Sequence, residues 1–223
     1  PAFSLPRLDD RASSTSRLGM SVRETPASIT VIDQKAIEEM GAFNTQDILS
    51  AIPGVSWSAQ PGSAGSVFYR GFGVTSLTQL WNGLSVQYDA ISARPVDTWL
   101  VAGAEAIGGP SSFLYGSGGV GGTINLITKV ADGSGDLTHL RGALGTTNQL
   151  AADVQRKLGE GGAHSLRLVA NVADGTHWSI GEGRKAWQAS ASWHWAITPQ
   201  LSHLLAIEQQ SERVRQPYWG TPL

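Results

Sequence analysis

The sequence predicts a small α+β domain followed by antiparallel strands of the kind that build a transmembrane β-barrel, an incomplete one in this chain. Three observations carry this. Glycine is heavy at 27 residues and tryptophan high at eight, while charged residues make up only 15%, against about 25% in an average soluble domain. Up to Lys129 the apolar pattern mixes short helical and short extended runs. Beyond Lys129 it becomes a two-residue alternation in segments of about 9–11 residues, the length at which a tilted strand crosses a bilayer.

Composition removes several function classes. Net charge is −2 and the sixteen basic residues are scattered. No basic patch interleaved with aromatics appears, so nucleic acid is not an expected partner. Cysteine is absent, which excludes disulfides and thiolate metal sites. No run of about 18 apolar residues occurs, so no transmembrane helix is expected. The chain starts at Pro1 without a charged and then apolar leader, as a mature or cut N-terminus would.

The elements follow in order. Residues 1–19 are polar and aperiodic and read as a flexible arm. Residues 28–32 (SITVI) are β-branched and extended. Residues 33–40 read as a helix with Asp33 as N-cap and Gly41 as stop. Residues 44–51 read as a second, with Asn44 and Asp47 at capping-box spacing. Ile52-Pro53-Gly54 ends it. Short strands are expected at 55–58, 67–70, 77–81 and 84–88, the last two around Asn82-Gly83, a strong hairpin signal because both residues tolerate positive φ. Residues 98–107 read as a strand or short helix, and 123–128 (TINLIT) as a strand. The division is therefore an arm at 1–19, an α+β domain at 20–130 and barrel strands at 131–223.

Alternation is cleanest at the C-terminal end. Leu150, Ala152 and Val154 share a face, as do His164, Leu166, Leu168, Ala170 and Val172, and again Trp187, Ala189, Ala191, Trp193 and Trp195. Segment 201–210 is looser. Tryptophans at the ends of an apolar face suit the aromatic girdle at a lipid interface. A soluble β-sandwich also alternates with period two, and the pattern alone leaves it open.

Catalytic readings find little. Gly116, Gly118 and Gly121 satisfy G-x-G-x-x-G, but a dinucleotide site needs a helix directly after it, and TINLIT favours a strand. Ser111-Ser112 lacks a nucleophile elbow. The five histidines have no metal-ligand spacing. No enzyme activity is expected.

Three segments carry a resemblance. Residues 23–55 read RETPASITVIDQKAIEEMGAFNTQDILSAIPGV, residues 69–83 read YRGFGVTSLTQLWNG, and residues 105–129 read EAIGGPSSFLYGSGGVGGTINLITK. In order and spacing they resemble the plug domain of TonB-dependent outer-membrane receptors, the ferric-siderophore receptors in particular. The tail resembles the first barrel strands, and Tyr218-Trp219-Gly220 resembles a loop of those receptors.

The resemblance implies a plug inside a barrel in the outer membrane of a Gram-negative bacterium, with lipid around it. It implies a ferric siderophore or similar metal chelate as transported ligand, no cofactor, and TonB of the inner-membrane energising complex as partner. Arg70 matches the arginine of the family's RGF strand, which pairs with barrel glutamates; a plain surface arginine is the alternative. Glu105 matches the glutamate before Gly-Pro, so both are expected plug–barrel contacts. The family's second arginine, directly before that Gly-Pro, is Gly108 here. Trp57, Gln60, Thr75 and Tyr88 are the expected ligand contacts of the plug apex. A TonB box is expected in the arm, where residues 4–10 match it poorly, or upstream of Pro1. About five strands follow the plug and barrels need about eight or more, so a piece of a longer protein or a truncated product is expected. A remnant, or a plug-like binding module without transport, is the alternative function.

Overall fold

Strand β1 (Ser28–Asp33) runs directly into helix α1 (Gln34–Glu39) because Asp33 serves both. Its Oδ1 accepts the Ala36 N–H at 2.7 Å, satisfying a first-turn donor that has no partner within the helix. The helix stops at Gly41, φ +64. There the Gly41 and Ala42 N–H groups bond Glu38 O and Ile37 O at 3.0 and 3.2 Å, the paired bonds of a Schellman end. Helix α2 (Thr45–Ser50) opens on a full capping box. Asn44 Oδ1 accepts from Gln46 and Asp47 N–H, and Asp47 Oδ2 returns the favour to Asn44 N–H. Both helices thus form and end where local chemistry dictates. This computed structural model describes residues 28–58, 66–73, 76–85, 97–109, 119–176 and 183–215.

Strands β2 (Val55–Ser58) and β3 (Ser66–Tyr69) pair as a two-stranded ribbon. Strands β4 (Leu77–Trp81) and β5 (Leu84–Ser85) form the hairpin expected at Asn82-Gly83, whose φ values of 52 and 77 are those of a type I′ turn. Segment 98–107 holds both expected states in series. A 3-10 turn, Thr98–Leu100, capped by Asp97, leads into β6 (Val101–Gly108). Strand β7 is Gly122–Thr128, so a strand and not a helix follows the glycine run.

The main sheet of this unit has the order β1-β6-β7-β4-β5, parallel only between β4 and β7. One face carries the core. Ile32, Ala104, Ala106, Ile124 and Leu126 pack against Ile37 of α1, Ile48 and Leu49 of α2, and Val67 and Tyr69 of β3. The other face is polar: Thr78, Glu105, Thr123 and Asn125 are buried there.

The chain divides after Thr128 into two compact units. The second is a five-stranded antiparallel meander of β8 (Leu137–Ala143), β9 (Thr147–Leu158), β10 (His164–Thr176), β11 (Gly183–Thr198) and β12 (Leu201–Arg215), ordered β12-β11-β10-β9-β8. The last four have 12, 13, 16 and 15 residues, longer than a bilayer crossing needs. Their ladders continue in register over that extra length, where backbone pairing offsets the entropy of ordering each added residue.

The faces of this sheet are reversed relative to a soluble sandwich. Asp153, Gln155, Ser165, Asn171, Gln188 and Ser192 are buried. Leu150 is 68% exposed, Leu168 50% and Ile207 66%. Register explains the partition, since Leu150 pairs with Val172, Val172 with Trp187, Leu168 with Val154 and Ala191, so apolar residues stack in rows on one side. A water-facing sheet would hide that side. A sheet in lipid shows it.

Candidate functional site

The motif RGF does not sit in a strand. β3 ends at Tyr69, and Arg70 and Gly71 form the centre of a tight turn, with φ of 52 and 84. Tyr69 and Phe72 exchange backbone hydrogen bonds of 2.9 and 3.0 Å across it. Arg70 was expected in the extended run; the left-handed conformation, which costs a non-glycine residue about 1–2 kcal/mol, takes it out. That conformation is held by the Arg70 N–H, which donates to Gly54 O at 2.8 Å.

The side chain then folds back. The guanidinium lies over the Tyr69 ring, 5.3 Å from its centroid, a contact worth about 0.5–1 kcal/mol at an exposed site. Tyr69 itself is fully buried. Burial pushes its phenol above the ordinary value, against the opposing charge of Arg70. Three glycines make the room. A Cβ at Gly122 would stand 2.7 Å from Tyr69 Cδ1, one at Gly54 3.2 Å from Arg70 Cγ, and one at Gly108 2.7 Å from Arg70 Nη1.

Glu105 lies elsewhere. It is buried in the middle of β6, paired with Val31 and Asn125. Alternation puts it on the polar sheet face, whereas Gly108 and the Arg70 guanidinium are on the core side. Arg70 and Glu105 therefore do not converge. Trp57 is in β2 opposite Val67, its side chain outside the described residues. Gln60, Thr75 and Tyr88 also lie outside them, as do the segments 4–10 and 218–222.

The second unit holds a charged cluster that sequence reasoning missed. Arg167 donates from Nε to Asp153 Oδ1 and from Nη2 to Oδ2, both at 2.8 Å. Lys129 Nζ is 3.5 Å from the same carboxylate. All three are buried. Residues 129–135 cross the polar face as a strap. Val130 O accepts from Arg167 at 3.1 Å, Ala131 N–H donates to Ser192 Oγ at 2.8 Å, and Gln155 Nε2 donates to Asp132 Oδ1 and Gly135 O at 2.9 and 2.8 Å. Burial raises the Asp132 carboxyl, but Ser134, Gln155 and Arg167 outweigh it and hold it below the usual carboxylate range. Parity already put Asp153 and Arg167 on the inward face; only the β9–β10 register makes them neighbours.

On the same face a row of amides crosses four strands. Gln149 donates to Asn171 at 3.0 Å, Asn171 to Gln188 at 3.3 Å and Gln188 to Gln210 at 3.4 Å. On the outward face His164, Trp193, Trp195 and His203 form one ring cluster, with centroids 5.5–6.0 Å apart. Trp187 is at the other end of the apolar rows. The stretch of β11 from Trp187 to Trp195 measures about 27 Å at ~3.4 Å per residue. Tilted by about 35–45°, it rises about 19–22 Å along the membrane normal, most of an apolar band of about 25 Å. No helix among the described residues is long and apolar enough to cross a membrane.

Comparison with known proteins agrees with this architecture. Residues 21–123 match the family model of the TonB-dependent Receptor Plug Domain. The vitamin B12 transporter BtuB of Vibrio vulnificus is 32% identical over 155 residues, covering 67% of this chain and 26% of that protein. The ferrioxamine B receptor of Salmonella typhimurium is 30% identical over 213 residues, covering 89% of this chain and 30% of that protein. The pyoverdine receptor FpvA of Pseudomonas aeruginosa, solved with pyoverdine bound, superposes with a TM-score of 0.79 at 25% identity, covering 89% of this chain and 30% of that one. The chain spans less than a third of the length of each of these relatives. Motifs, fold and the outward apolar face meet in one conclusion: the chain belongs to the TonB-dependent outer-membrane receptors and carries their plug domain and a run of their barrel strands.

Proposed function

We propose that the protein containing this chain takes up a ferric siderophore or similar metal chelate across the outer membrane, driven by TonB, with the plug as ligand platform and gate. The observation that carries the reading is the pairing of a plug-type α+β unit with a sheet that buries its polar face and exposes its apolar one. Relatives named for ferrioxamine B and ferripyoverdine support the ligand class. The reading adds no chemistry on the ligand; affinity and gating are the whole task. An extended segment near the N-terminus would engage TonB by strand addition.

Within this reading Trp57, Gln60, Thr75 and Tyr88 contact the ligand from the plug apex, where rings give stacking area and a polar handle. Arg70 and Glu105 are the plug's contacts to the barrel wall, Arg70 through a fork that grips a carboxylate and releases it reversibly. The test is iron uptake by cells carrying the complete reading frame that contains this chain. Deleting it abolishes uptake of labelled iron from the cognate siderophore, and so does deleting TonB. Uptake that persists without TonB overturns the reading in favour of a binding module without transport. Trp57→Ala weakens siderophore binding; equal affinity by calorimetry removes Trp57 from the site.

A further inference from the structure

The glycine at position 108 has no conformational reason to be glycine. It ends β6, pairs in register with Ser28 and Gly122, and is absent from the positive-φ residues. A β-branched or aromatic residue would suit that backbone better. What excludes one is the Arg70 side chain. A Cβ at 108 would lie 2.7 Å from Nη1, 2.8 Å from Cζ and 3.2 Å from Nη2 of Arg70. All three near atoms belong to the guanidinium, and none to backbone.

The other constraints on Arg70 act elsewhere on the residue. Its backbone is tied to Gly54 O, its Cγ passes over Gly54, and its charge rests on the Tyr69 ring. These fix where the side chain starts and which way it leaves. Gly108 leaves open the space beside that ring in which the guanidinium comes to rest. Among the described residues no carboxylate lies in ion-pair range of it, and its side-chain partner there is Tyr69.

We propose that Gly108 is a positioning residue: the space left by its missing side chain is the seat of the Arg70 guanidinium, and it sets the direction in which the plug offers that cation. The proposal rests on the reading of Arg70 as the plug's contact to the wall. It predicts that a methyl group at 108 moves the cation without harming the strand, because a flexible side-chain end can yield where backbone could not.

The experiment is a double-mutant cycle in the complete receptor with Gly108→Ala, Arg70→Ala and both together, read two ways. In thermal unfolding, Gly108→Ala shifts Tm in the wild-type background and leaves it unchanged in the Arg70→Ala background. Equal shifts in both backgrounds overturn the seat. In outer-membrane permeability to a large antibiotic, Gly108→Ala raises leak to the level of Arg70→Ala, and the double variant leaks no more than Arg70→Ala. Wild-type leak in Gly108→Ala, with raised leak in Arg70→Ala, overturns the positioning role. A Tm cycle that couples while Arg70→Ala itself shows no leak overturns the wall-contact reading of Arg70 and retains the seat.

Discussion

Arg167 grips Asp153 with two parallel hydrogen bonds of 2.8 Å, fork against fork, from a strand position two residues out of register with it. The bidentate geometry is the strong form of the pair. Lys129 shares the carboxylate, so two buried cations meet one anion there. Asp153→Ala removes the carboxylate that both share and breaks a buried pair, at a cost of about 3–5 kcal/mol. The intact receptor then unfolds from its heat-resistant gel form at a lower temperature. An unchanged transition would show that water, not Asp153, balances the two cations.

The strap adds a pH dependence. Asp132 has its folded pKa below its unfolded one, near 3.9 for a free carboxyl. Its stabilisation is therefore complete above the unfolded value and is lost as pH falls through the lower folded value. Asp132→Asn flattens that acid limb of the unfolding midpoint and leaves stability less sensitive to acid. An identical acid limb in both proteins removes Asp132 from the balance.

Lipid exposure has a direct mutational signature. Leu168 is mid-strand in the outward apolar rows. Leu168→Arg costs about 2–4 kcal/mol at a bilayer midplane, whereas a water-facing surface change stays within about ±0.5 kcal/mol. Folding titrations of the receptor in lipid vesicles measure the difference. A cost near zero sinks the membrane assignment of this face.

Helix α2 is a test of local chemistry alone. Asn44→Ala deletes the acceptor for two N–H groups and half of the reciprocal box, lowering plug stability by about 1 kcal/mol. Hydrogen exchange of Gln46 and Asp47 amides reports it, and slower exchange in the variant contradicts the cap.

These cases also show what was legible in the sequence. Asp33, Gly41, Asn44 and Asp47 act within a few residues of themselves, so their roles are written in short motifs. So is the Asn82-Gly83 turn. Its further use is not: Asn82 exchanges two hydrogen bonds of 2.8 Å with Thr128, 46 residues away. Strand β8 escaped a separate reading because its outward residues, Thr138, Leu140 and Gly142, make no apolar stripe. Arg70 was read into β3 because YRG has no proline or Asn-Gly to announce a turn. That turn is set instead by Gly54, which belongs to another motif. The opposite facing of Glu105 and Gly108 follows from alternation, but the arrival of Arg70 at Gly108 depends on tertiary packing.

The amide row has a consequence for the electrostatics of this sheet face. Gln149, Asn171, Gln188 and Gln210 bear no charge at any pH a cell envelope meets, and the first three each donate to the next in the same direction around the sheet. At that level the sheet presents dipoles without net charge, so its hold on a neighbouring group does not depend on that group's ionic state. A few residues along the strands the character changes: Lys129 and Arg167 share Asp153, and Arg167 also acts on Asp132, so charges of both signs meet in one cluster. One face thus carries two stations of different kind in succession, a chargeless row of dipoles and a compact knot of opposed charges.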